Sequence, residues 1–410
     1  FGYAIICLGH GLQGTLVGVR SVIENFSFIQ TGYVIAGYYV GYLVGSLIIP
    51  SLLKKVGHIR VFAALASLAS IAILLHSIIN VPTIWFFIRI LTGISISGIF
   101  VIMESWLNEK SDNESRGNIL SIYMVITFTF LGCGSFLLNI SDPSKFELFI
   151  LVSVLLSFSL IPILLTSTSA PNFQNPKILK FTELYKVSPL GFIGAVIIGL
   201  AHSTVFGLGA VYAKKIGLSN IEISFFIVIV TICGALFQWP IGFVSDKVDR
   251  RVILIIVTFI ASIACIFIIA SSFISTILLF ILLAIYSAMS LPMYSLNIAH
   301  VNDFLQPDEI VAASSGLAVL VGCGSICGPL IASYFMSLFG ANGFFIFLFM
   351  AHIFLGLFGI YRMAIRTKPS DIESQYVPLP RTITPLGMEL NPKAEVEDEY
   401  LGKEPFFKNK

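Results

Sequence analysis

The chain is 410 residues long, 57% hydrophobic and only 11% charged, with 24 basic and 22 acidic side chains for a formal net charge of +2. About a quarter of the residues of a soluble domain are charged, so most of this surface does not face water, and the near-balanced charge excludes nucleic acid as a partner. The six cysteines (Cys7, Cys133, Cys233, Cys265, Cys323 and Cys327) lie in apolar stretches, which excludes a disulfide framework and a zinc-type cluster in a polar loop.

Twelve apolar runs approach the ~20 residues that cross a bilayer. They lie near 1–19, 31–53, 61–79, 84–107, 117–139, 146–166, 189–212, 221–244, 252–271, 276–297, 311–338 and 343–365. They do not alternate apolar with polar, so the pattern predicts helices rather than barrel strands. The sequence opens at Phe1 inside an apolar run; we read a membrane helix rather than a cleavable signal, with further residues expected ahead of it. In span one, Gln13 and Arg20 fall within about 80° of His10 on a helical wheel, a polar stripe whose outer edge is Arg20. Span two runs into the basic loop Pro50–Arg60. Span four carries Arg89 and Glu104, the clear cases of charge deep in a span. They share one helix face about 60° wide but lie roughly four turns apart, too far to pair.

The connector 167–188 holds Pro171, Pro176, Lys177, Lys180 and Lys186, and separates a first bundle, 1–166, from a second, 189–366. In the second, His202 follows His10 by 192 positions, as Leu200 follows Leu8 and Ser219 follows Ser27. The loop Gly242–Arg251 repeats Pro50–Arg60 at the same offset. On span ten, Tyr286, Met293, Asn297 and His300 share a face. The tail 367–410 is rich in proline and acid, including Glu395, Glu397, Asp398 and Glu399; with little to pack, it is expected to be mobile. Hydrophobic halves repeated in parallel are built like a transporter with a path between them.

The string Gly242-Phe243-Val244-Ser245-Asp246-Lys247-Val248-Asp249-Arg250-Arg251 fits G-x-x-x-D-[RK]-x-[GD]-R-[RK] and resembles the loop signature of the major facilitator superfamily. In the first copy Lys54 stands where the family has Asp, and Pro50 where it has Gly. Arg89-Ile90-Leu91-Thr92-Gly93 resembles the family's R-x-x-x-G element, and Gly328-Pro329 its glycine–proline packing motif. The strings Glu104-Ser105-Trp106-Leu107-Asn108-Glu109, Arg116-Gly117 and Ala299-His300-Val301-Asn302-Asp303 are similar to the YcaD-type branch. Over residues 1–365 the resemblance implies an all-α membrane protein, twelve transmembrane helices in two pseudo-symmetric six-helix bundles. It implies a bacterial inner-membrane carrier, with spans one, four, seven and ten lining a central cavity.

Basic residues crowd one side: Lys54, Lys55, Arg60, Lys110, Arg116, Lys177, Lys180, Lys186, Lys247, Arg250, Arg251, Arg362, Arg366 and Lys368, against Arg20, Lys145, Lys214 and Lys215 on the other. The positive-inside bias therefore puts both termini in the cytoplasm. The candidate path for substrate and protons is His10, Gln13, Arg20, Arg89, His202, Tyr286, Asn297 and His300. The competing reading of each histidine is a hydrogen bond that glues neighbouring helices. The candidate cytoplasmic gate is Asp246, Lys247, Arg250 and Arg251, with Glu104 and Arg116 replacing the degraded first loop. An exposed ion pair worth about 0–1 kcal/mol suits a latch that must open.

No phosphate loop is present, so no ATP drives the cycle. His10, His202 or Glu104 could carry a coupling proton. No H-E-x-x-H occurs, and Gly93-Ile94-Ser95-Ile96-Ser97 fails G-x-S-x-G, so an enzyme is not expected. The expected partners are the lipid bilayer, protons and a small neutral or amphipathic solute, handled by a monomer without a cofactor. The alternative is a transport-inactive sensor or scaffold that keeps the carrier fold.

Overall fold

The computed structural model describes residues 1–111, 115–165, 178–271, 275–366 and 376–392. Among these residues there is no strand; fifteen α-helices follow one another as α1 (Gly2–Ile23), α2 (Phe28–Val56), α3 (His58–Ile78), α4 (Pro82–Lys110), α5 (Arg116–Gly134), α6 (Glu147–Phe158), α7 (Leu160–Leu164), α8 (Phe181–Val187), α9 (Pro189–Lys215), α10 (Asn220–Ser245), α11 (Arg250–Ser271), α12 (Thr276–Ser290), α13 (Met293–Asn302), α14 (Ile310–Phe339) and α15 (Gly343–Ile365). The pairs α6–α7 and α12–α13 each form one interrupted span, and α8 belongs to the connector, half of which (167–177) lies outside the described residues. Twelve spans result.

Span ten differs from the single helix 276–297 read in the sequence. It breaks at Leu291–Pro292 and resumes to Asn302, because Pro292 has no N–H to continue the ladder. The duplication is visible in the caps. Ser27 caps α2, accepting from Gln30 N at 3.1 Å while the Gln30 side chain accepts from Ser27 N at 2.9 Å. Ser219 and Glu222 repeat this capping box at the start of α10.

Within the first bundle α1 packs on α5 and α6, α2 on α4, and α3 on α4 and α6; in the second, α9 packs on α14 and α15, α10 on α12, and α11 on α12 and α15. The bundles meet where α2 faces α14, α1 faces α9 and α5 faces α10. Large apolar side chains such as Ile48, Phe87, Val125, Trp239 and Leu357 stay exposed on the outer faces. In a bilayer they meet lipid tails at no cost, whereas in water such a belt would drive aggregation.

One close approach sets the centre of the molecule. A Cβ on Gly93 of α4 would overlap the Tyr38 carbonyl oxygen of α2 and stand 2.6 Å from Tyr42 N. Only glycine lets the two backbones come this near. One helical turn earlier on α4 lies Arg89, and the same contact brings it over the Tyr38 ring.

Candidate functional site

Away from the termini the two bundles close directly on each other. Gly18 of α1 sits against Ala210 and Val211 of α9, and Gly32 of α2 against Pro329 and Ser333 of α14. The turn after α5 adds polar ties: Ser224 Oγ donates to Ser135 O at 2.8 Å, Ser135 Oγ to Ser224 O at 3.2 Å, and Asn139 Nδ2 to Ser224 Oγ at 3.0 Å. We call this the far end.

Midway through the molecule lies a cavity of about 60 Å³, lined by His10, Thr15, Tyr38, Tyr39, Arg89 and Phe206 among others. Tyr38 OH and His10 Nε2 are 3.1 Å apart, and the Arg89 Cζ lies 4.6 Å from the centroid of the Tyr38 ring. Tyr39 OH donates to Ser203 O of α9 at 3.2 Å, which ties the wall to the second bundle. A second cavity of about 60 Å³, nearer the termini, is lined by Tyr42, Ser46, Tyr294 and Ser325. Tail residue Arg381 lines both cavities.

That placement corrects the expectation of a tail with little to pack. Residues 376–391 enter the gap between the bundles on the side of the termini; 367–375 and 393–410, with the acidic run Glu395–Glu399, lie outside the described residues. Leu379, Ile383, Leu386, Met388 and Leu390 are buried, which supplies the hydrophobic gain that holds the segment. Its backbone is met by polar groups from both bundles. Leu379 N donates to Ser295 Oγ at 2.9 Å, Ser315 Oγ to Pro385 O at 2.8 Å, Tyr376 N to Asp246 Oδ1 at 2.7 Å, and Tyr42 OH to Thr382 O. Gln238 accepts from Tyr376 OH at 2.7 Å and from Ser295 Oγ at 2.9 Å. Glu389 is bonded by Asn108 and lies near Arg116.

Glu104 is fully buried at this interface. Its Oε1 accepts from Tyr123 OH at 2.9 Å and from Thr384 N at 3.2 Å, and Thr384 Oγ1 donates to Oε2. The expected pairing of Glu104 with Arg116 is thus replaced by hydrogen bonds to Tyr123 and the tail, which satisfy a carboxylate shut away from water.

The other path candidates part company. His10 and Arg89 meet around Tyr38. Gln13 is buried beside His10 without lining either cavity. Arg20 instead pins the outer end of α1, pairing with Glu24 at 2.6 Å and donating to Pro143 O at 3.1 Å. His202 Nε2 bonds Ser290 O at 3.0 Å, Tyr286 stacks edge-on against His352, Asn297 Nδ2 donates to Gly191 O at 2.9 Å, and His300 Nε2 pairs with Ser188 Oγ at 3.1 Å. These four join helices inside the second bundle and line neither cavity.

At the loop, Arg250 bridges Asp246 (2.7 Å) and Asp303, while Arg251 pairs with Asp249 at 2.7 Å and donates to Arg366 O at 2.6 Å. Lys247 lies 3.8 Å from the Phe243 ring centroid. The cluster ties α10, α11 and α13 together and touches the tail through Tyr376. Tyr38, Gln238 and Ser295 were not singled out from sequence, and the tail was expected to stay undocked. The available signal was the apolar residues spaced through 377–390 and a glutamine inside span eight.

The Major Facilitator Superfamily model matches residues 1–212 and 191–394, twice along the chain as the repeat requires. The uncharacterized MFS-type transporter YcaD of Escherichia fergusonii is 27% identical over 348 residues, covering 84% of this chain and 90% of the relative. That of Escherichia coli O45:K1 is 26% identical over 354 residues, with the same coverage. In fold, the nucleoside transporter NupG superposes with a TM-score of 0.72 at 14% identity, covering 89% of this chain and 96% of that one. A bacterial homolog of the human lysosomal transporter Spinster, inward-facing and occupied, gives 0.69 at 14% identity, covering 88% and 94%.

Proposed function

The chain belongs to the major facilitator superfamily and is a membrane transporter of a small molecule; from that premise we propose that it is a secondary active carrier of the bacterial inner membrane, working as a monomer by alternating access and coupled to protons. The observation that carries the reading is the asymmetry along the bundle axis. The helices seal the far end directly, while the central cavity around His10, Tyr38 and Arg89 shares Tyr38, Tyr39 and Arg381 with the second cavity, which is walled by the tail. A carrier held in one of its two exposures needs such a direct seal between its bundles on one side only. The excess of Lys and Arg at the loops beside the termini supports a cytoplasmic position for the mouth that the tail fills.

Support for the proton comes from Glu104, a buried carboxylate whose partners Tyr123 and Thr384 sit on opposite sides of the interface between bundle and tail. A carboxylate whose partners change during the cycle can take up and release a proton once per cycle. The test is flux in proteoliposomes. Metabolites that raise the thermal stability of the purified protein are assayed by counterflow, then by uptake under an imposed pH gradient. The gradient is expected to drive accumulation, and Glu104→Gln to lower gradient-driven uptake at least tenfold while leaving counterflow. Uptake indifferent to the gradient would remove the proton; absence of counterflow for every stabilising solute would remove transport.

A further inference from the structure

We propose that the cavity around Arg89 holds the anionic end of the solute, a carboxylate whose remaining body is apolar or aromatic. The inference rests on the carrier reading of this cavity and names the class of solute it takes. Arg89 is 4% exposed, and its Nε and Nη1 have no hydrogen-bond partner in the protein. No ion pair among the described residues includes it. The Tyr38 ring covers one face of the guanidinium and holds it in place. Neither cavity is lined by an Asp or Glu, and Glu104 is engaged by Tyr123 and Thr384. Arg381 brings a second guanidinium to the same space, lying over the Phe206 ring at 3.5 Å.

An uncompensated buried cation is costly, and two cations at one cavity compound the cost. A carboxylate compensates Arg89, since it meets the guanidinium edge through paired hydrogen bonds. Tyr38, Tyr39 and Phe206 offer flat apolar walls for the rest of the molecule. This narrows the expected solute to an amphipathic anion.

Sodium benzoate and benzamide, equal in shape and different in charge, are the probes. Millimolar benzoate is expected to raise the melting temperature of the purified full chain by about 3 °C or more, and benzamide to leave it unchanged. Arg89→Gln should abolish the benzoate shift, and Arg89→Lys should keep part of it. Equal shifts for the two probes, no shift for benzoate, or an intact shift in Arg89→Gln overturns the assignment. Should Arg89→Gln not fold, the lysine variant decides: a shift equal to that of the wild type overturns it as well. Because binding is read without flux, benzoate binding in a protein that carries nothing would spare this assignment and remove the carrier reading.

The docked tail carries a separate inference: we infer that residues 376–391 are a built-in occupant of the mouth, and that solute reaches Arg89 only after this segment withdraws. It bonds Tyr42 and Glu104 on the first bundle and Gln238, Ser295 and Ser315 on the second. A segment fixed to both halves fills the route and ties together the parts that must rock. Hydrogen exchange on the full chain tests it, with Leu386→Asp, which alters the tail and leaves the bundles intact. Amides of 379–390 are expected to exchange at least a hundredfold more slowly in the wild type than in the variant. In a background without native cysteines, Ser46→Cys in the cavity nearer the termini should react with an impermeant maleimide at least tenfold faster once Leu386→Asp is added. Rapid exchange in the wild type, or labelling indifferent to Leu386→Asp, overturns it.

Discussion

The two ends of the gap between the bundles are closed by different means. At the far end the spans touch: α1 on α9, α2 on α14 and α5 on α10, with serine and asparagine bonds between them. At the mouth the spans stand apart, and a proline-rich segment after the last helix fills the space. A direct seal forms and breaks only when the bundles move as bodies. A filled mouth can open by loss of the segment alone, with the bundles unmoved. On the proposed cycle one molecule therefore holds a rocking closure and a displaceable one, and the displaceable one can open with the bundles unmoved.

The largest effect is expected at the far end from Gly32→Val. A Cβ at Gly32 would overlap Ser333 Oγ and stand 2.8 Å from the Pro329 carbonyl oxygen. Overpacking against backbone costs about 3 kcal/mol, on the order of a hundredfold in the population of the sealed state. Spin labels at Asn25 and Ile221, with exposed Cys133 and Cys327 replaced by serine, should report a wider far-end separation. An unchanged distance distribution would show that the seal does not depend on this contact. Exchange protection of the tail should fall as well only if the two closures are linked.

The same contrast explains what was legible in the sequence. Twelve long apolar runs dictate the spans, and a guanidinium or imidazole inside one is rare enough to flag, which is how Arg89 and His10 were singled out. Symmetry did not give the partner of His202. The break at Leu291–Pro292 turns Tyr294 N toward Leu291 O, leaving Ser290 O without its helical partner, and His202 takes that carbonyl. The first half has no such break in α4, so His10 turns to Tyr38 instead. Position in the repeat was predictable; the partner was set by one proline elsewhere. For the tail, proline and acid outweighed the apolar residues. Leu379, Ile383, Leu386 and Met388 acquire meaning only beside a mouth of matching polarity, which exists once both bundles are assembled.

A middle-sized effect sharpens the displaceable closure. Burial pushes the Glu389 carboxyl up from its ordinary 4.5 to about 7, against the opposing pull of Arg116 on α5 and the hydrogen bond from Asn108 on α4. The docked segment thus holds a proton more tightly than the free one. Below about pH 4.5 both forms are protonated and docking is strongest. Docking weakens as pH rises toward 7 and levels off above it, where both forms are ionised. The change is on the order of tenfold or more in the docked population. A nitroxide at Pro392 should become more mobile between pH 5 and pH 8, and Glu389→Gln should flatten the profile. A flat profile in the wild type would mean that Glu389 does not sense docking.

The smallest effect tests how weak the direct seal is. Ser224 Oγ accepts from Asn139 Nδ2 and shares its one proton between Ser135 O, both across the gap between the bundles, and Asn220 O in its own helix. Ser224→Ala removes the hydroxyl and leaves the Ser135 Oγ bond to the Ser224 carbonyl in place. Each lost bond is worth about 1 kcal/mol net, and the local one is lost in both open and sealed states, so it cancels. The far end should open about five- to thirtyfold more often, with little change in melting temperature. The same labels at Asn25 and Ile221 would read this as a minor long-distance population that grows. A shift as large as that of Gly32→Val would instead make these polar ties, and not the packing of α2 on α14, the main restraint on the rocking closure.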